Sequence, residues 1–170
     1  MASRRAVSKK RAGRPASGKN VGAVVAELKR LGTKRTRDGM ARYGLPSDKA
    51  FGVPVGTIQQ LAKRLGKSHE LAAALWATGW YEARMLAAYV DEPERVMPAQ
   101  MDRWCRDFDN WGICDTVCFV LFDRSPHAFG RVARWARRRE EFIRRGAFAL
   151  LAVGVVLTGR ALTASGLAFF

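Results

Sequence analysis

Residues Asp107 to Cys118 read DFDNWGICDTVC, and two of them could do chemistry together. Trp111 and Asp115 stand four apart on the opening turns of an apolar helical segment. That spacing places an indole and a carboxylate on one helix face, one turn apart. An aromatic face beside an anion attracts a cationic group, because the ring quadrupole and the carboxylate both favour positive charge. The chain itself carries 30 Lys and Arg against 15 Asp and Glu, so its large partner is read as a polyanion. The pair therefore reads as a cation trap within a nucleic-acid-binding surface. Each residue also has a plainer reading. Trp111 could be a helix-packing aromatic. Asp115, among Ile113, Cys114, Val117 and Cys118, either meets a basic partner in a structural salt bridge or lines a groove, since an unpaired buried carboxylate is costly.

Further basic residues follow. Arg131, Arg134 and Arg138 share a helix face that could track a phosphate backbone or simply be solvated. Arg144 and Arg145 are neighbours, about 100° apart on a helix, so at most one can face a groove. The net charge of +15 is uneven: residues 1–42 hold 13 basic and 2 acidic residues. Attraction of this kind works through counterion release and weakens as salt rises.

Three cysteines, Cys105, Cys114 and Cys118, lie in one stretch, and His69 and His127 are the only histidines. These spacings fit neither a disulfide framework nor a zinc site, so the cysteines read as small buried hydrophobes in a reducing compartment, and no metal is expected. The N-terminus lacks the apolar core of a secretory signal. An organellar transit peptide would need an apolar stripe that is missing, which leaves a cytoplasmic, nucleoid-associated location. The uncharged run from Gly146 to Leu157 is too short for a membrane span, and none is expected.

The elements that must position these residues are helical. Residues 1–20 are too poor in large apolar side chains to offset chain entropy and read as a disordered basic tail. Apolar residues at helical spacing run from Val21 to Leu31, ended by Gly32. A loop with Gly44, Pro46 and Gly52 follows, and Pro54 is read as the first-turn proline of a helix through Leu65. Helices are expected over His69–Thr78 and Trp80–Val90, around Met101–Phe108, from Trp111 after a cap at Asp109 or Asn110, from Pro126 through Trp135, and from near Glu140 to about Leu157. No segment alternates with period two, so the domain over 21–157 is read as all-α. Successive short helical pairs point to a HEAT-like solenoid; a compact helical bundle is the alternative. Residues 158–170 form an apolar tail of undetermined structure.

Taken in order, Phe51-Gly52-Val53, Leu75-Trp76 followed by Tyr81-Glu82-Ala83-Arg84, Trp104 leading into Asp107–Asp115, and Phe142-Ile143-Arg144-Arg145-Gly146-Ala147 resemble the AlkD-like DNA alkylation repair glycosylases. Those enzymes are built from HEAT-like repeats, and the resemblance covers about residues 36–152. It implies excision of cationic N3- or N7-alkylated purines from double-stranded DNA, without metal or organic cofactor. By the same resemblance Trp111 takes the aromatic role, Asp115 stabilises the cationic sugar or orients water, and Arg145 clamps phosphate, with Arg144, Arg131, Arg134 and Arg138 as further DNA contacts. Glu82 and Arg84 are read as structural. Family members continue through further helices where this chain ends in VGVVLTGRALTASGLAFF. The expectation is therefore a shortened solenoid, with weakened excision and self-association through the apolar end. A catalytically silent DNA-binding protein and a helical scaffold for protein partners are the rival functions.

Deleting residues 1–20 removes seven positive charges and no core residue. The slope of DNA affinity against salt should become shallower while thermal stability changes little. An unaltered slope in a salt titration would show that this segment does not meet phosphate.

Overall fold

The computed structural model describes residues 20–45 and 47–158, and of 155–158 the backbone alone. The expectations for the basic tail and for the apolar end beyond Thr158 lie outside these residues. Among the described residues there are nine α-helices and no strand. They are α1 (Val21–Leu31), α2 (Lys34–Met40), α3 (Val55–Leu65), α4 (His69–Ala77), α5 (Tyr81–Val90), α6 (Pro98–Arg106), α7 (Trp111–Val120), α8 (Phe129–Ala136) and α9 (Glu141–Thr158).

Local chemistry fixes most of the starts. The side chains of Asn20, Thr33, Ser68 and Asn110 accept hydrogen bonds from the first-turn amides of Gly22, Thr36, Leu71 and Ile113, which satisfies donors that a helix leaves free. Pro98 opens α6 at a position where the missing N–H costs nothing. Three sequence expectations need correction. The stretch before Gly52 is not all loop: α2 and a 3-10 turn over Ala41–Tyr43 occupy it, started by the Thr33 cap that no apolar periodicity signals. Pro54 is the residue before α3, not its first turn. Pro126 does not open α8, which begins three residues later at Phe129 after a turn.

The helices pack in two layers. In one layer α3, α5, α7 and α9 contact one another in chain order, while α4 packs on α5, α8 and α6 on α9, and α1 on α4 and α5. Cross-contacts rise together along both partners: the Cys114 thiol donates to the Phe142 carbonyl and Cys118 to that of Gly146, so α7 and α9 run parallel. Likewise Glu82 meets Val53, just before α3, and Tyr89, further along α5, meets Gln59 of α3. The starts of α5, α7 and α9, at Tyr81, Trp111 and Glu141, are evenly spaced along the chain. The helix starts of this layer therefore line one edge.

Aromatic rings join the other layer. Trp76 of α4 stacks on Trp104 of α6 with centroids 4.0 Å apart and planes within 2°. Phe122 continues the row 6.3 Å from Trp104 and 6.0 Å from Trp135 of α8. The polar ends of two of these indoles are satisfied, Trp76 Nε1 by Asp107 and Trp135 Nε1 by Asp102, as buried tryptophans require. Cys105, Cys114 and Cys118 are free thiols in the core, and burial pushes the Cys105 thiol up and out of the reactive range.

The structural reading of Glu82 is right, and its role is specific. Its fully buried carboxylate accepts from the amides of Phe51, Gly52 and Val53 at 2.9, 2.7 and 3.2 Å. Gly52 has φ +80°, and a Cβ there would lie 2.4 Å from the Thr33 carbonyl, so only glycine fits. Arg84 is structural too: Nη1 donates to the Asp107 carbonyl at 3.1 Å, and the guanidinium lies 5.2 Å from the Trp76 ring centroid.

Glu82→Ala strands buried amides at about 1–3 kcal/mol each, so it should lower unfolding stability by about 3 kcal/mol or more in a denaturant titration. Gly52→Ala should destabilise as well, through the strained φ and the clash. A near-native midpoint for Glu82→Ala would mean the loop is held by something else.

Candidate nucleic-acid interface

The start of α7 is built from three segments. Asn110 caps it, its Oδ1 accepting from the Ile113 amide at 2.9 Å and its Nδ2 donating to Asp109. Trp111 is 41% exposed, and its Nε1 donates to the Tyr43 carbonyl at 2.8 Å. The indole is thus fixed at one edge with its rings open to solvent, not packed in the core. Gly112 gives the backing, since a Cβ there would lie 2.7 Å from the Tyr81 hydroxyl and 3.0 Å from Leu45.

One turn along, Asp115 accepts two hydrogen bonds from Arg145 of α9, from Nε at 2.8 Å and Nη2 at 2.6 Å. The carboxylate is 22% exposed and the guanidinium 45%. Of the two readings of Asp115, the basic partner is therefore present, and it stands on a face that solvent reaches. The hydrogen bonds that Arg145 donates to Asp115 push the Arg145 pKa above its ordinary value, so the guanidinium stays charged at neutral pH. Because α7 and α9 run parallel, Trp111, Asp115 and Arg145 share one side of the layer. Exposed Phe119 and Phe148 extend it, one turn beyond Asp115 and Arg145 respectively.

The other predicted contacts are not joined to this group. Arg131 and Arg134 reach Asp102 at 3.4 and 3.5 Å, the same carboxylate that Trp135 engages. Arg138 pairs with Glu140. Asp102, far away in sequence, therefore partly neutralises this face of α8, and Arg138, beyond the end of the helix, pairs with a neighbour in sequence. Arg144 is exposed and makes no ion pair among the described residues.

Sequence reasoning missed Tyr43. It is 70% exposed and lies beside Trp111 through its carbonyl, so a second aromatic stands at the site. No periodic signal marks it, because it sits in a short 3-10 turn. Among the described residues no group of three or more His, Cys, Asp or Glu is placed to hold a metal, and no helix is long and apolar enough to cross a membrane.

Residues 24–157 match the family model described as DNA alkylation repair enzyme. The chain belongs to the DNA alkylation repair enzyme family. A similar solved structure is described as one of a new family of proteins related to the HEAT-like repeat DNA glycosylases with affinity for branched DNA structures. It is 26% identical with a TM-score of 0.71, and the match covers 77% of this chain and 55% of that one. No curated protein matches. This member of the repair family therefore has the HEAT-like repeat fold, not the compact bundle, and it spans little more than half the length of its structural relative.

A pair this exposed contributes little to folding, about 0–1 kcal/mol. A double-mutant cycle of Asp115→Asn and Arg145→Gln should give a coupling within that range by denaturant unfolding. A coupling of several kcal/mol would make the pair a structural clamp.

Proposed function

We propose that the protein is a DNA glycosylase that releases cationic N3- or N7-alkylated purines from DNA. The observation that carries this reading is the exposed Trp111 and the half-buried Asp115 on one face of α7, with Arg145 held beside them. An alkylated purine carries positive charge. When its glycosidic bond breaks, the electron pair leaves with the base, which becomes neutral, and positive charge develops on the deoxyribose. The Trp111 face attracts that charge, and the Asp115 carboxylate stabilises it and accepts a proton from the water that attacks the sugar carbon. Since the leaving base is already activated, it need not be enclosed in a pocket.

Arg145 connects binding to this step. In the free protein its guanidinium occupies both Asp115 oxygens. A DNA phosphate at the same face competes for it. Little energy is needed to redistribute so exposed an ion pair, and a guanidinium shared with phosphate frees a carboxylate oxygen for the sugar and water.

A second reading is recognition of branched DNA without excision. It is favoured by the description of the structural relative and by the engagement of both Asp115 oxygens in the free protein.

Incubation with methylated duplex and chromatography of the released bases separates the two. Excision should fall by about 10²–10³ in Asp115→Asn, the scale for removing one electrostatic stabiliser, and also fall in Trp111→Ala, while DNA affinity changes only a few-fold. No release by the native protein, together with tight binding to a four-way junction, would select the second reading. Near-native excision by Asp115→Asn would remove that residue from the mechanism.

A further inference from the structure

A cleft of about 300 Å³ opens where the starts of α5 and α7 meet. That size lies at the lower end of small-ligand sites, about 300–1,000 Å³. Its walls include Asp48, Lys49, Tyr81, Asp109, Asn110 and Ile113. The cleft adjoins Trp111 through the Asn110–Trp111 bond, yet none of these residues has a part in the proposed excision step.

Its groups are arranged for a ligand that is flat, uncharged and polar at its edges. Ile113 is buried and gives an apolar surface, and the half-buried Tyr81 ring adds an aromatic one. The Tyr81 hydroxyl makes no hydrogen bond among the described residues, and burial pushes its pKa up to about 12, so it stays a neutral donor and acceptor. Lys49 makes no ion pair among the described residues, and its backbone is pinned because its carbonyl accepts from the Tyr81 amide at 2.8 Å. Asp48 is an exposed carboxylate acceptor, and Asp109 is exposed too, with Oδ1 accepting from Asn110 Nδ2 and Oδ2 4.0 Å from Arg84 Nη1. Arg84 also borders the cleft, but Nη1 is engaged by the Asp107 carbonyl. Two carboxylates against Lys49 and Arg84 leave the lining without net charge, which disfavours a phosphate and suits a heterocycle bearing both donors and acceptors.

We infer that this cleft receives an unpaired nucleobase from the DNA strand held at Trp111. The inference rests on the DNA-interface reading above but not on excision. A paired base would have to break its stacking and pairing at a cost of a few kcal/mol, whereas a bulged or branch-point base is already free of most of that cost. The cleft therefore favours DNA with an unpaired nucleotide over a continuous duplex. The base found there need not be the alkylated one.

The test compares two duplexes of equal length, one fully paired and one with a single bulged 2-aminopurine. Affinity is read by anisotropy and base environment by 2-aminopurine fluorescence. The native protein should bind the bulged duplex about tenfold tighter, which is about 1.4 kcal/mol, with a change in fluorescence. Lys49→Ala and Tyr81→Phe should each bring that ratio down towards one, while binding to the paired duplex stays within a few-fold and methylated-base excision is retained. Lys63→Ala removes a charge outside the cleft and should leave the ratio intact. Equal affinity of the native protein for both duplexes, or an unchanged ratio in both cleft variants, overturns the inference and leaves the excision reading standing. An equal fluorescence response from free 2-aminopurine deoxyriboside at the same concentration would assign the cleft to free nucleosides instead. Failure to bind either duplex would remove the DNA-interface reading and this inference with it.

Discussion

The geometry of the Trp111 face traces back to one buried carboxylate. Glu82 binds three successive backbone amides at Phe51–Val53, donors that would otherwise be buried without partners. Holding that strip holds Gly52, whose carbonyl accepts from the Thr33 amide, and Thr33 in turn caps α2. From α2 the chain runs directly into the turn whose Tyr43 carbonyl receives the Trp111 indole. A buried carboxyl group on α5 thus sets, through hydrogen bonds and backbone connections, where an aromatic on α7 stands. Burying so polar a group is tolerated here because several amides donate to it.

The other half of the site depends on how closely α7 approaches α9. Small groups line that contact: Cys114 and Cys118 lie against the carbonyls of Phe142 and Gly146, and a Cβ at Gly146 would already meet Cys105, Cys118 and Phe108 at van der Waals distance. A bulky side chain there would separate the helices and stretch the Asp115–Arg145 bonds. The cysteines therefore act through their size, not their reactivity. The even spacing of the starts of α5, α7 and α9 follows from the same architecture. Each step is one helix out and one helix back, so the spacing is kept by element length with no repeated sequence.

Charge is selected in a similar way. The chain is strongly basic, yet several arginines are engaged by its own carboxylates, with Arg131 and Arg134 at Asp102 and Arg138 at Glu140. What distinguishes the proposed interface is the exposure of aromatic side chains beside a single ordered ion pair. Flat rings next to a guanidinium form a surface that meets sugars and bases as well as phosphates.

Much of this was fixed by residue type and spacing alone. The apolar periodicity of α1, α3 to α7 and α9 sets their existence, Asn110 sets the start of α7, and the four-residue interval puts Trp111 and Asp115 on one face, because each of these is a local consequence of helix geometry. The apolar surroundings of Asp115 also required it to find a partner or a groove. Which cation would answer Asp115, and which arginines Asp102 would engage, depended on contacts between residues about thirty positions apart, and no local pattern encodes those. Tyr43 and α2 were invisible for a related reason: a short polar helix carries no periodic apolar signal, and its place is decided by Glu82 through the loop that it holds. Local rules determine which faces exist, and only tertiary packing decides what each face meets.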